Sequence, residues 1–231
     1  MFDNFFERVY TQFIAGDGID MMITGLGSTL LLALSALVLG IVLGTVFAVM
    51  KVVPTNTLPG KILNGIATVY VTVIRGIPLV VLLLLGYFGI FGPRGWDAMP
   101  VGIMIFGINS SAYVAEIMRS GIQAVDKGQM EAGRSLGLPY RAAMVKIVLP
   151  QAVKNILPAL GNEFIVLIKE TSVAGFISIF DLTRAGRAIV SNNYDAFVPY
   201  LVLAMVYLVL VLIATGLVHL LERWLARSDN R

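Results

Sequence analysis

Three polar residues, Arg75, Asn109 and Glu163, sit deep inside long apolar runs. At 1.5 Å of rise per helical residue they lie about 20, 16 and 15 Å from the starts of their respective runs, near the middle of a hydrocarbon layer about 30 Å thick. Charge at that depth is costly and faces a bundle interior or a wet cavity. A guanidinium and a carboxylate lining one cavity match the two charged ends of a zwitterion. The same two side chains also satisfy each other as a structural ion pair, and the sequence leaves both readings open. Glu116 and Glu170 lie nearer the ends of their runs, where water reaches, and Glu170 joins the candidate pathway residues.

Catalysis has little to work with. An intramembrane enzyme needs a nucleophile with a base, paired acids or metal ligands. The chain has one histidine, His219, near the end of an apolar run, and no cysteine. No run carries two acids at i, i+3 or i+4, so a metal site and a Ser-His dyad are both poorly supported, and His219 reads as an interfacial residue. Gly60-Lys61 lacks the earlier Gly and the following Ser or Thr of a phosphate-binding loop. If energy is used, a partner supplies it, and no cofactor is expected on this chain.

A different chemistry sits in the polar, basic stretch from Arg119 to Lys154. Glu131-Ala132-Gly133-Arg134-Ser135-Leu136-Gly137 is followed by Ile147-Val148-Leu149-Pro150-Gln151-Ala152. Glu131 to Leu138 and Arg141 to Val148 read as short helices separated by Leu138-Pro139-Tyr140, with Gly137 placed to end the first in a left-handed conformation. Two short helices with a fixed turn make a rigid knob, and Ala132 and Gly133 keep its surface narrow enough to enter a groove. The alternative is a solvated loop resting on anionic headgroups.

The elements that must position these residues are membrane spans. Of 231 residues, 58% are hydrophobic and 13% charged, and the mean hydropathy is +0.86. A soluble domain has a smaller apolar share, and these apolar residues fall in runs of the roughly 20 residues a crossing requires. The spacing predicts spans over about 21–50, 62–91, 98–118, 153–168 and 197–221. Residues 169–194 are mixed and can hold a re-entrant or bent piece. Span two is interrupted by Arg75-Gly76-Ile77-Pro78. Pro78 lacks an N–H and crowds the carbonyl of Ile74, so a kink is expected, either as simple packing or as backbone exposed to a substrate. Gly40 and Gly44 read as a helix-helix contact.

Basic residues orient the bundle. Lys51 and Lys61, the island's Arg119, Lys127, Arg134, Arg141, Lys146 and Lys154, and the tail's Arg223, Arg227 and Arg231 belong on the inner side. The N-terminal segment carries Asp3, Glu7, Asp17 and Asp20 against Arg8. Five spans then place the N-terminus outside and the C-terminus inside. Arg184 and Arg187 conflict with the bias, since this scheme puts them outside. The net charge of +3 is explained by this topology and not by nucleic acid. Phe2, Phe5, Phe6, Val9 and Phe13 recur at helical spacing and predict an interfacial helix on the outer leaflet within residues 1–20. Tyr87, Phe88, Trp96, Tyr194, Tyr200 and Trp224 suit the aromatic belt. Residues 1–20 lack the basic n-region of a cleavable signal, so the first span is expected to act as its own insertion signal. Residues 21–231 are expected to form one transmembrane domain with a cytoplasmic loop at about 119–152.

The strings Asn109-Ser110-Ser111-Ala112-Tyr113-Val114-Ala115-Glu116-Ile117, Gly128-Gln129-Met130-Glu131-Ala132, Ser135-Leu136-Gly137, Leu149-Pro150, Lys169-Glu170-Thr171-Ser172 and Asp181-Leu182-Thr183 occur in order. Together they resemble the permease subunits of polar amino acid ABC importers, a resemblance that extends over nearly all of the chain. Gly133 stands where many members have a second Ala, and Ile77 stands where Arg-Gly-Thr-Pro is usual. The second change removes a hydroxyl from the suspected cavity wall.

The resemblance implies an all-α integral membrane fold of about five helices and a second permease subunit, identical or paralogous. It also implies an ATPase dimer that carries ATP and Mg, an extracytoplasmic amino-acid-binding protein, and residence in the bacterial cytoplasmic membrane. It places Glu131, Ala132, Gly133, Ser135 and Gly137 in a coupling helix inserted into the ATPase, and it makes Arg75, Asn109, Glu163 and Glu170 candidates for the substrate pathway. The expected function is import of a polar amino acid of the glutamine, arginine, histidine or glutamate class by alternating access. A small oligomeric channel without an ATPase partner is the alternative, and an intramembrane hydrolase is disfavoured by the missing dyad and ligands.

Overall fold

The computed structural model describes residues 4–227, which form helices joined by short turns, with no strand among them. Phe2, Asp3 and Arg231, used above, lie outside the described residues. A short helix α1 (Phe5–Val9) widens into a π-helical turn at Tyr10–Ile14. Then follow α2 (Gly18–Val52), α3 (Leu58–Gly76), α4 (Leu79–Leu84), α5 (Ala98–Gln123), α6 (Lys127–Ser135), α7 (Tyr140–Ala143), α8 (Leu149–Glu170), α9 (Leu182–Asn193) and α10 (Phe197–Arg227). Four helical stretches among the described residues are long and apolar enough to cross a membrane: Gly18–Val52, Ala98–Gln123, Tyr140–Ile177 and Phe197–Ala226. A fifth crossing is reached if the pair Leu58–Gly76 and Leu79–Arg94 counts as one.

That pair is bent by 98°, so the expected kink in span two is a break. Gly76 ends α3, Ile77 is extended, and Pro78 caps α4 by accepting from the N–H groups of Val81 and Leu82 at 2.9 and 3.2 Å. Pro78 has no N–H to continue α3, and a helix start is where that loss costs least.

Other boundaries differ from the hydropathy reading where polar groups find partners. Span three was expected to stop near Met118, yet α5 continues to Gln123 because Glu116 and Arg119 pair with each other while Glu116 also meets Lys51. The helix expected from about residue 153 continues unbroken from Tyr140, through a wide turn at Met144–Val148. The short helix expected over Arg141 to Val148 and the fourth span are therefore one continuous stretch, which carries both Lys146 and Lys154.

Contacts divide the chain into two compact units, one of Met1–Ala36, Pro78–Gly107 and Ile165–Ala214, the other of Leu37–Ile77, Ile108–Phe164 and Thr215–Arg231. The core of the first gathers Phe13, Met22, Leu182, Ala185, Ile189, Val198 and Leu203. Leu182, Ala185, Gly186 and Ile189 are the buried stripe of amphipathic α9. Asp181 starts α9 by accepting from the backbone N–H of Thr183 at 2.8 Å and of Arg184 at 3.3 Å. Thr29 of α2 accepts from the Leu182 N–H at 3.1 Å.

The N-terminal aromatic face departs in part from the expected outer-leaflet anchor. Phe13 is buried in this core, with Phe5 and Val9 packed against it, while Phe6 is exposed. Asp195 holds the segment through Gln12 at 2.9 Å and Arg8 at 3.5 Å.

In the second unit, Gly40 and Gly44 of α2 do make the expected helix contact. A Cβ at Gly40 would stand 2.8 Å from Ser110 Oγ, and one at Gly44 would stand 2.8 Å from the Ser111 carbonyl oxygen. Phe47 stacks on Tyr70 with ring centroids 3.8 Å apart, beside the buried Val71, Ala112 and Ala115.

Candidate functional site: a basic knob and a buried polar cluster

The knob begins earlier than the residue pattern indicated. Asp126 accepts from the Gly128 N–H at 2.7 Å and starts α6 at Lys127, four residues before Glu131. Its end is as expected. Gly137 has φ +87°, the Leu138 N–H reaches back to the Gly133 carbonyl at 3.2 Å, and the Gly137 N–H reaches that of Arg134 at 3.0 Å. This is the paired-bond stop of a Schellman turn, which favours glycine at the left-handed position.

Gly133 has a different job from the one expected. It is buried, and a Cβ there would stand 2.6 Å from Ile147 Cδ1 and 3.4 Å from Ala143 Cβ. Its smallness lets α6 pack on the helix that follows and leaves the outer surface to other residues. That outer surface carries Glu131, Ala132, Arg134, Ser135 and Leu136, all exposed. Leu136 is 85% exposed at the tip. Leu136 stands on the turn that Gly137 fixes, so its side chain is displayed on a rigid backbone. The sequence contained this signal, because Leu136 interrupts a polar stretch immediately before the turn glycine.

The candidate pathway residues divide. Asn109 and Glu163 are buried, and Ser110 Oγ donates to Glu163 Oε1 at 2.8 Å. Next to them Ser111 Oγ donates to the Ile108 carbonyl at 2.7 Å and shares a 2.6 Å hydrogen bond with the Tyr70 hydroxyl. Arg75, in the last turn of α3, is exposed, with its guanidinium 4.9 Å from the centre of the Tyr113 ring. A cation over an aromatic face remains attracted while its N–H groups stay free for an anion. Glu170 belongs to the other unit, at the end of α8, half-buried.

Ser110, Ser111 and Tyr113 entered the residue pattern only as members of one string, with no role assigned, and Tyr70 did not enter it. Helix packing brings Ser110 to Glu163, Tyr113 to Arg75, and Tyr70 to Ser111.

Helices long and apolar enough to cross a membrane, buried polar groups within them and a knob with a fixed turn define this chain as a multi-pass helical membrane protein. The chain belongs to the family of binding-protein-dependent transport system inner membrane components, whose pattern matches residues 36–227. It is 38% identical over 213 residues to the arginine transport system permease protein ArtQ of Bacillus subtilis (strain 168), covering 91% of this chain and 95% of that one. It is 39% identical over 214 residues to the probable glutamine ABC transporter permease protein GlnM of the same organism, covering 92% and 96%.

Among solved structures, it resembles an amino acid ABC transporter with histidines at 43% identity and a TM-score of 0.84, over 96% of this chain and 99% of that one. The methionine ABC transporter MetNI in an inward-facing conformation shares the fold, at 19% identity and a TM-score of 0.77 over 89% of this chain and 96% of that one. The chain is thus a multi-pass permease subunit of an ABC importer, and the channel alternative is not favoured.

Proposed function

We propose that this chain carries a polar amino acid of the glutamine, arginine, histidine or glutamate class across the bacterial cytoplasmic membrane. The observation that carries the substrate class is the 43% identity, over almost the whole chain, to a solved amino acid ABC transporter. Likeness to arginine and glutamine permeases supports it.

In this reading the N-terminus faces outward and the C-terminus inward. A separate ATPase dimer binds ATP and Mg and receives the knob of α6, with Glu131, Ala132, Ser135 and Leu136 on its surface and Gly137 fixing its turn. A second permease subunit completes the pathway, and an extracytoplasmic binding protein delivers the amino acid. Closure of the ATPase dimer around ATP pushes the knob, and rigid transmission rocks the spans from inward-open to outward-open. Arg75 recognises the substrate carboxylate and Glu163, within the polar wall of Asn109 and Ser110, its ammonium. The exposed guanidinium over Tyr113 and the Ser110-bound carboxylate support those roles.

The test is ATP hydrolysis by the complex of this chain with its ATPase in nanodiscs, against a panel of amino acids and their binding proteins. Stimulation by one amino acid with its binding protein is the expected result and names the substrate. A folded chain that binds no ATPase would overturn the reading.

A further inference from the structure

Three of the stretches able to cross a membrane, Gly18–Val52, Ala98–Gln123 and Tyr140–Ile177, have one end at Val52, Gln123 and Tyr140 respectively. Those three end residues all line one cavity of about 530 Å³. A second cavity of about 410 Å³ adjoins it and shares Val52, Ile122, Tyr140 and Met144 as walls. Span ends lie where hydrocarbon gives way to water, so the joined groove sits at that boundary.

The lining of the groove is amphipathic. Val49, Val53 and Leu149 extend it along the spans, and Val49 is 59% exposed one turn inside the end of α2. Gln123, Asp126 and Met130 continue it toward the knob. Each cavity also carries one exposed cation, Lys127 in the first and Arg141 in the second. Neither cation has a carboxylate within 4 Å among the described residues, whereas Lys51, beside Val52, is already neutralised by Glu116. Asp126, the acid on the wall, accepts from the Gly128 N–H at 2.7 Å and is committed to starting α6. A soluble partner cannot follow this groove to Val49 within the span, and an apolar helix cannot satisfy Lys127 and Arg141. An occupant with an apolar tail and an anionic head meets both parts, and the bilayer itself supplies one.

We propose that this groove holds one phospholipid with a net negative headgroup, its acyl chain along Val49, Val52 and Met144 and its phosphate at Arg141 and Lys127. A guanidinium grips phosphate through paired hydrogen bonds and an ammonium adds a point charge, and basic pockets between membrane helices favour anionic headgroups. Lys127 and Met130 belong to α6, so the lipid packs the knob against the ends of α2 and α5. The site stands on the span ends and the unpaired cations, whichever side of the membrane the knob faces.

The probe is phosphatidylglycerol, titrated against phosphatidylcholine of the same chain length into the purified full chain in detergent, with bound lipid read by native mass spectrometry. The wild type should retain one phosphatidylglycerol and prefer it roughly tenfold. Lys127→Gln/Arg141→Gln should abolish that preference, and its thermal midpoint in phosphatidylcholine should match the wild type because both side chains are exposed and unpaired. Lys146→Gln removes an exposed cation of the same helical stretch that lines neither cavity, and it should bind as the wild type does. Val52→Trp fills the wall shared by both cavities and should weaken the two lipids alike, which tests the groove independently of charge. Equal affinity of the wild type for both lipids would overturn the site, as would undiminished binding by Val52→Trp. An equal loss in Lys146→Gln would reduce the effect to diffuse surface attraction. Competition by inorganic phosphate as effective as that by the lipid would make it a free-anion site, and expulsion of the lipid when the ATPase binds would give the groove to a protein segment. Either result overturns the lipid assignment, and neither bears on the importer reading.

Discussion

Lys51 Nζ lies 2.9 Å from Glu116 Oε2, joining the end of α2 to α5. Arg119 Nε donates to the other oxygen of the same carboxylate at 2.9 Å, and the Asn64 amide donates to the Lys51 carbonyl at 3.0 Å. One acid thus neutralises two cations, and three helices meet at it. Replacing Glu116 by Gln leaves two partly buried cations without their counter-charge. The expected loss is about 1–3 kcal/mol, read as a lower thermal midpoint of the purified protein. An unchanged midpoint would show that the cluster is well hydrated and contributes nothing.

Gly137 isolates backbone geometry from crowding, because a Cβ there would meet nothing within 4 Å while φ is +87°. Leu at this position carries a strain of roughly 1–2 kcal/mol, and Asn carries less. Gly137→Leu is expected to insert normally and to retain basal ATP hydrolysis with its ATPase, but to lose uptake. Normal uptake in that variant would count against the knob as the coupling element.

Gly44 presents the opposite case. A Cβ there would press on the Ser111 carbonyl at 2.8 Å and on Val114 Cβ at 2.7 Å, and a backbone oxygen cannot turn aside. Gly44→Val should force α2 from α5 at a loss of about 1–3 kcal/mol. Gly65→Val, with nothing within 4 Å, is the matched control and should be near neutral in the same thermal scan.

Glu163→Gln separates substrate recognition from packing. The amide keeps an acceptor for Ser110 and removes the charge. If the carboxylate meets the substrate ammonium, the KM for uptake rises roughly tenfold or more with the thermal midpoint held. A lowered midpoint with normal KM would make it a structural group.

Asp181 is the cap of α9, fully buried with two backbone donors. Asp181→Ala should destabilise the start of α9 by about 0.5–2 kcal/mol. Faster hydrogen exchange at the Thr183 and Arg184 amides is the measurement, and unchanged protection there would show that Thr29 and the α9 core suffice.

The spans were legible because the hydrophobic effect of a bilayer writes itself as uninterrupted apolar runs, and the stop at Gly137 was legible because a left-handed residue selects glycine. The Gly40 and Gly44 pair was legible for a related reason, since small residues at that spacing have few uses in lipid besides close approach. Less visible were the helix ends near Gln123 and Tyr140, because a hydropathy run stops at the first charge while a helix continues wherever that charge finds a partner.

By itself, then, the sequence determined an all-helical membrane protein with a polar knob and the order of its strings. Only the tertiary structure decided that Gly133 packs inward on Ile147, that Phe13 is core and not anchor, and that span two turns by 98° at Pro78. It alone brought Ser110 to Glu163, Tyr113 to Arg75, and Arg184 and Arg187 to one cavity. The reason is physical: composition and period fix what each segment can bury, but which polar groups meet depends on helix rotation and depth, set by contacts between residues distant in sequence.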